Sequence, residues 1–222
     1  MPEVQVWRLP LRPVAEDLRI CCAVLSVEER QKAERYRVEE ARSNFILSRG
    51  MLRFLLGERI GISPPALRFR YAEHGKPFLE GPPADLRFNI SHTQGMALIG
   101  LAEGREIGVD VEKIRPSTEV RKLAERFFSV RERESLSVLS GDELQAAFFR
   151  CWTRKEAYIK ARGEGLSLPL HQFDVSVAPR ENHALLATRP DPSDLKRFML
   201  CDVAVPIGYS AAIAVARVGG KL

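Results

Sequence analysis

The sequence contains no Walker-type glycine loop, no G-x-G-x-x-G following a strand and no G-x-S-x-G elbow. Their absence counts against the common nucleotide-binding and hydrolase scaffolds. No apolar run is long enough to span a bilayer. Met1 to Leu18 lacks the basic-then-apolar layout of a signal peptide, so a cytoplasmic protein is the expectation. Cysteine is scarce: Cys21, Cys22, Cys151 and Cys201 form no C-x-x-C pair, and the adjacent Cys21 and Cys22 are poorly placed to bridge each other. Free thiols are expected rather than a disulfide framework or a zinc site. The histidines, His74, His92, His171 and His183, show no metal-ligand spacing either. Low-complexity segments are absent, and no residue-level repeat is seen.

What is present fits an ordinary globular chain of 222 residues, with 45% hydrophobic and 28% charged residues, enough for one large domain or two small ones. The net charge of +5 suits an anionic partner: nucleic acid, a polyanionic cofactor or an acidic protein. Alternation of Val4 and Val6 predicts a strand over Glu3–Arg8. Ser26, followed by Glu28 and Glu29, reads as the N-cap of a helix. A second helix is predicted from about Glu39 to Arg59, ending near Gly61. Leu52, Leu55 and Leu56 form its apolar side, and Arg42, Arg49 and Arg53 share another face. Pro64-Pro65, Gly75-Lys76-Pro77 and Gly81-Pro82-Pro83 mark loops and short strands. Strands follow at Arg87–Ile90, Met96–Ala102 and Glu106–Val111, then helices at Thr118–Phe127, Val130–Leu139 and Gly141–Arg162. Strands return at Phe173–Val177, Phe198–Val205 and Tyr209–Val218. The order suggests two similar α+β units joined between Gly104 and Pro116.

Ile107 to Glu112 alternates cleanly, so Gly108, Asp110 and Glu112 share one strand face. Neighbouring carboxylates repel unless a cation lies between them, and oxygen-only ligands suit a hard ion such as magnesium. Gly108 reads as an open spot where a ligand could approach. A solvated strand face explains the same spacing. Trp152, Glu156 and Lys160 fall on one helical stripe, which reads either as an ordinary Glu–Lys surface pair or as a metal ligand beside a phosphate-binding cation. The turn lysine Lys76, and Ser91 and His92 at a strand end, are further candidates for phosphate. Two other classes are compatible with these features. One is another magnesium-dependent phosphoryl enzyme, such as a pyrophosphate hydrolase. The other is a basic nucleic-acid-binding module, for which no zinc-finger, helix-turn-helix or aromatic RNA-binding motif is present.

Taken together, Gly75-Lys76-Pro77, Phe88-Asn89-Ile90-Ser91-His92, Gly108-Val109-Asp110-Val111-Glu112, Arg126-Phe127-Phe128-Ser129 and Trp152-x-x-Lys155-Glu156-Ala157-Tyr158-x-Lys160-x-x-Gly163-x-Gly165-Leu166 resemble the Sfp-type 4′-phosphopantetheinyl transferases in order and spacing. Arg49-Gly50-Met51-Leu52-Arg53 adds a further match. The resemblance implies an α+β pseudo-dimer, here residues 1–108 and 109–222, with coenzyme A in the cleft between the halves. It implies Mg2+ on Asp110, Glu112 and Glu156, and catalytic roles for Glu156, Lys160 and His92. Lys76, Ser91, His92 and Lys160 are implied to contact coenzyme A, and Lys32, Arg42, Arg49 and Arg53 are candidates for its 3′-phosphate. The implied partner is an apo acyl- or peptidyl-carrier protein, whose serine receives phosphopantetheine. A cytoplasmic monomer that binds neither nucleic acid nor membrane is expected. Phe127 and Phe128 read as core packing, with a carrier contact as the alternative.

Overall fold

In the computed structural model, which describes residues 4–81, 85–180 and 183–217 and only the backbone of Leu166, the chain runs twice through one order of elements. The first pass is β1 (Val4–Pro10), α1 (Ala15–Ala23), α2 (Val27–Glu34), α3 (Glu39–Ile60), β2 (Phe69–Tyr71), β3 (Pro77–Leu79), β4 (Leu86–Thr93) and β5 (Met96–Glu103). The second is β6 (Ile107–Lys113), α4 (Val120–Phe127), α5 (Val130–Ser137), α6 (Gly141–Arg162), β7 (Phe173–Val175), β8 (Leu185–Thr188), α7 (Asp194–Arg197), β9 (Phe198–Asp202) and β10 (Tyr209–Ala216). Each pass builds an antiparallel three-stranded sheet, ordered β1-β5-β4 and β6-β10-β9, plus a short hairpin, β2-β3 or β7-β8. The predicted strand ends at Glu3 and Val218, and the turn residues Pro82 and Pro83, lie outside the described residues.

Strand alternation sets the layers. Val4 and Val6 of β1 and Leu98 of β5 pack with Ile107, Val109 and Val111 of β6 and Ile213 of β10, so the sheets bury one face against each other. The other face of the first sheet, with Trp7, Leu9, Phe88 and Ile99, packs on Leu52 and Leu56 of α3. Its counterpart in the second sheet, with Leu200, Ala212 and Ala214, packs with Ala157 and Ala161 of α6. The order is helix, sheet, sheet, helix. Both long helices have 22 residues and end on a left-handed glycine, Gly61 or Gly163, where a side chain would be strained.

The structure exposes a residue-level repeat. Ser26-Val27-Glu28-Glu29-Arg30 and Ser129-Val130-Arg131-Glu132-Arg133 both close a capping box at the start of a short helix. In each, the boxed glutamate is buried and holds a cation from the following long helix. Glu29 accepts from Arg49 and, at 2.6 Å, from Arg53; Glu132 lies 2.6 Å from the Lys155 ammonium. Each cation then donates to carbonyls just beyond its helix. Arg53 reaches Pro64 and Leu67 at 2.8 and 3.2 Å, and Lys155 reaches Leu170 and Phe173 at 2.8 and 2.7 Å. Ser-Val-x-Glu-Arg, four shared residues in five, is too short a signal to stand out in the sequence until the fold superposes the two segments.

Burial alone would raise the Glu29 carboxyl, but the Arg49 charge, a bond from Arg53 and the Ser26 N–H hold it below its ordinary 4.5. Its contribution to stability is therefore complete above that pH and is lost as pH falls through the lowered folded value. Glu29→Gln is expected to cost about 3–5 kcal/mol at neutral pH, because Arg49 and Arg53 remain buried and unpaired. The difference from the unmodified protein should shrink in acid. Urea unfolding of both proteins across pH checks this, and a difference independent of pH would reject it.

Candidate active site

The site begins at Gly108. A Cβ there would stand 2.1 Å from the Ala157 carbonyl oxygen and 2.3 Å from the Ala161 nitrogen, so only glycine lets α6 lie this close to β6. This corrects the expectation of an open ligand spot: helix backbone fills that space. Close seating brings side chains of α6 beside those of β6. Asp110 and Glu112 from β6 line one cavity of about 760 Å³ together with Trp152, Glu156 and Lys160 from α6. Ser91 and His92, at the end of β4, join them from the other half. The seam between halves is fixed locally by Asn89, whose side chain accepts from the Val109 N–H at 2.9 Å.

The electrostatics are those of crowded carboxylates. Asp110 Oδ1 accepts from Lys160 Nζ at 2.6 Å and from Ser91 Oγ at 2.8 Å. Its second oxygen, Oδ2, is buried with no hydrogen-bond partner. Burial first, then the charge of Asp110, pushes the carboxyls of Glu112 and Glu156 above their usual value. Both shifts mean that negative charge is disfavoured here. Among the described residues no ready-made metal cage of three or more such ligands exists. The unpartnered Asp110 oxygen and the two strained carboxylates nevertheless fit an oxygen-binding hard cation. Partial loss of water around its ring, then the charges of Lys160 and Lys32, lowers the His92 pKa, although the residue as a whole is exposed.

His92 also lines a second, larger cavity of about 1030 Å³ between α2, α3 and the β2-β3 hairpin. Its walls carry Lys32, Arg35, Arg49, Arg68 and the aromatic rings of Phe69 and Tyr71. The predicted arginine stripe divides here. Arg49 lines the cavity, stacks 4.3 Å from the Phe69 ring and donates to Tyr71 Oη at 3.1 Å. Arg53 also borders the cavity but is only 1% exposed, its guanidinium turned to Glu29 and the Pro64 carbonyl. Arg42 lines neither cavity and is loosely paired with Glu39 at 3.7 Å. Lys76 lines neither cavity as well; its neighbours Gly75 and Pro77 line the larger one.

The residues 10–103 match a family profile described as 4′-phosphopantetheinyl transferase, N-terminal, and residues 106–204 match that of the 4′-phosphopantetheinyl transferase superfamily. The matches meet at the turn before β6, where the second pass begins. The chain is 38% identical to the 4′-phosphopantetheinyl transferase HetI of Nostoc sp., over 98% of this chain and 89% of that protein. It is 33% identical to the transferase ffp of Bacillus subtilis over 93% of this chain and 89% of that protein. Identity to Sfp of Bacillus subtilis is 35%, covering 68% and 66% of the two chains. The chain belongs to the 4′-phosphopantetheinyl transferase superfamily.

Several lining residues of this transferase escaped sequence reasoning. Arg126 and the segment Leu168 to His171 form a wall of the smaller cavity with Phe127, whereas Phe128 is buried in the core. Arg126 and Phe127 lay inside a motif already noticed, but nothing in their spacing said which side chain turned outward. Arg35 and Arg68 carried no pattern at all.

Lys76 ties the halves together. Its ammonium donates to Glu106 at 2.8 Å and to the Ala161 carbonyl, near the end of α6, at 3.1 Å. Burial lowers its pKa against the opposing bond to Glu106. Lys76→Met is therefore expected to lower unfolding free energy by about 1–3 kcal/mol, by stranding the Ala161 carbonyl, with little change in coenzyme A affinity. Calorimetric binding together with thermal unfolding checks this; a large affinity loss at unchanged stability would make Lys76 a direct phosphate contact.

Proposed function

We propose that this chain, in moving 4′-phosphopantetheine from coenzyme A to a serine of an apo acyl- or peptidyl-carrier protein, uses its two joined cavities for the two ends of coenzyme A. The observation that carries this reading is His92, which lines both. The basic, aromatic cavity suits the nucleotide, with Lys32, Arg35, Arg49 and Arg68 available to its 3′-phosphate. Past His92, the pyrophosphate would enter the carboxylate cavity, with Ser91 and Lys160 beside it.

Asp110, Glu112 and Glu156 are the residues that would hold magnesium, and the ion supplies neutralisation of pyrophosphate charge. The chain's own groups do the rest. Glu156, on the cavity-facing stripe of α6, would accept the proton from the carrier serine Oγ. A bond forms between that oxygen and the β-phosphorus, and the bond from phosphorus to the bridging oxygen breaks. Adenosine 3′,5′-bisphosphate departs, and the Lys160 ammonium meets its developing charge as a compact point cation. His92 holds the pyrophosphate in line.

Both walls of the site belong to one chain, which supports a monomer. The cysteines, all free, agree with a reducing cytoplasm. No helix among the described residues is long and apolar enough to cross a membrane. The basic net charge of +5 fits an acidic carrier surface.

Mass spectrometry of an apo-carrier incubated with the protein, coenzyme A and magnesium should show one phosphopantetheine added. An unmodified carrier with coenzyme A hydrolysed would favour a pyrophosphate hydrolase instead. Chelation of divalent metal should abolish transfer. Asp110→Ala should need far more magnesium and lose rate at every ordinary concentration. Lys160→Ala removes the cation 2.6 Å from Asp110 Oδ1, so it should not raise the magnesium requirement while losing about tenfold to a thousandfold in rate, each tenfold being about 1.4 kcal/mol. A magnesium titration of both variants at saturating substrates decides it: rescue of Lys160→Ala, but not Asp110→Ala, by extra magnesium would reverse the assigned roles.

A further inference from the structure

Lys155 lies next to Glu156 in sequence but faces away from the cavity, and it is fully buried. Its ammonium meets Glu132 at 2.6 Å and the Leu170 and Phe173 carbonyls at 2.8 and 2.7 Å, and it lies 4.2 Å from the centre of the Phe173 ring. Glu132 adds a bond from the Val175 N–H at 2.7 Å. Thus one buried ion pair fastens both ends of the stretch from Leu170 to Val175. Residues just before and within that stretch, Leu168 to His171, are a wall of the carboxylate cavity.

The first half repeats the arrangement at the other cavity. Glu29 and Arg53 fasten the Pro64 and Leu67 carbonyls. Leu67, Arg68 and Phe69 are a wall of the nucleotide cavity, and the Arg53 guanidinium lies 5.0 Å from the centre of the Phe69 ring.

We infer that Glu132–Lys155 and Glu29–Arg53 are paired positioning devices, each holding one cavity wall, so that the first governs the carrier and the transfer step and the second governs coenzyme A. This rests on the assignment of the two cavities above. Lys155 lines neither cavity, and Arg53 borders the nucleotide cavity but is 1% exposed, with Nε committed to Glu29 and Nη1 to the Pro64 and Leu67 carbonyls. Each acts through the backbone it suspends, because a carbonyl bound to a buried ammonium cannot swing toward solvent without stranding a charge. The wall cannot shift unless its pair breaks.

The test uses Lys155→Met and Arg53→Met in the full chain, with hydrogen exchange of the two wall segments as a readout independent of activity. Lys155→Met should speed exchange around residues 168–175 and leave 64–71 protected. It should lower the transfer rate at saturating coenzyme A by about tenfold or more, which is about 1.4 kcal/mol, with coenzyme A affinity retained. Arg53→Met should give the mirror result: exchange released at 64–71, coenzyme A affinity lost, and the rate recovered at high coenzyme A. Lys155→Arg should restore most protection, since an arginine does this work in the first half. If Lys155→Met does not fold, the double change Glu132→Gln with Lys155→Met removes the charge and keeps an acceptor for Val175, and the same exchange pattern is expected. Release of both segments, or of neither, overturns the inference. So does selective release accompanied by equal loss of both substrates. Should the unmodified protein fail to bind coenzyme A or to modify any carrier, the cavity assignment fails on its own, and the exchange pattern still decides whether the pairs hold the walls.

Discussion

A buried glutamate at the third position of a capped helix, paired with a cation from the next long helix, is the constraint on which this structure hangs. Burying such a pair costs several kcal/mol per ion in desolvation, and only a full set of hydrogen bonds offsets it. Glu132 satisfies that demand with the Ser129 and Val175 N–H groups and Lys155, and Lys155 in turn with two carbonyls. A short helix, a long helix and a hairpin therefore have one mutual arrangement in which the charges are satisfied. The same logic, with Arg49 and Arg53, fixes the first half. Gly108 beneath Ala157 and Ala161 sets the register of α6 on its sheet, and the ion pair holds that helix against α5 and the hairpin.

Register matters because the proposed site sits on a seam. Asp110 and Glu112 come from one half's sheet, Glu156 and Lys160 from that half's helix, and Ser91 and His92 from the other half. Crowding these carboxylates is unfavourable by itself, as the raised Glu112 and Glu156 values and the unpartnered Asp110 oxygen show. A fold can retain such a site only if its surroundings are over-determined. Gly108 beneath α6, Asn89 on the Val109 N–H and Lys76 on the Ala161 carbonyl supply that rigidity.

Much of this was legible in the sequence, and the rest fails for identifiable reasons. Helix α6 runs from Gly141 to Arg162 as its pattern predicts, because Gly163 stops it in the left-handed region. The shared face of Asp110 and Glu112 follows from strand alternation alone. Helix α1 was missed: it has no side-chain cap at Val14 and lies close after two prolines. Strands β2, β3 and β8 have three or four residues each, too few for a period, and β7 was read too long. Spacing puts Arg53 on one face with Arg42 and Arg49, away from the leucines. What turns it inward is Glu29, 24 residues earlier, and sequence spacing does not reveal that pairing. Likewise, the meeting of the β6 carboxylates with Glu156 depends on the absent side chain of Gly108, which read as room for a ligand.

The two halves also differ at matching positions, apolar in one and acidic in the other. Aligning β1 with β6 by their first residues places Val4 and Val6 on Ile107 and Val109, all packed between the sheets. The same alignment places Trp7 and Leu9 on Asp110 and Glu112. In the first half those positions are apolar and pack toward α3. In the second they are carboxylates toward α6. Aligning the long helices at their terminal glycines places Arg53 on Lys155, the two cations of the repeated pair, and Phe54 on Glu156. The supporting cation is thus kept in both halves, while the residue beside it is apolar in one and acidic in the other. One half seals its helix–sheet interface with a tryptophan and a leucine; the other leaves the equivalent interface hollow and charged. The first half gives up little, because its β4 end already delivers Ser91 and His92 to the hollow side. Two identical halves of the first kind would have two sealed interfaces and no carboxylate cavity, and two of the second kind would bury twice the unfavourable charge. Asymmetry between otherwise repeated halves is the arrangement that gives a single carboxylate cavity at bearable cost to stability.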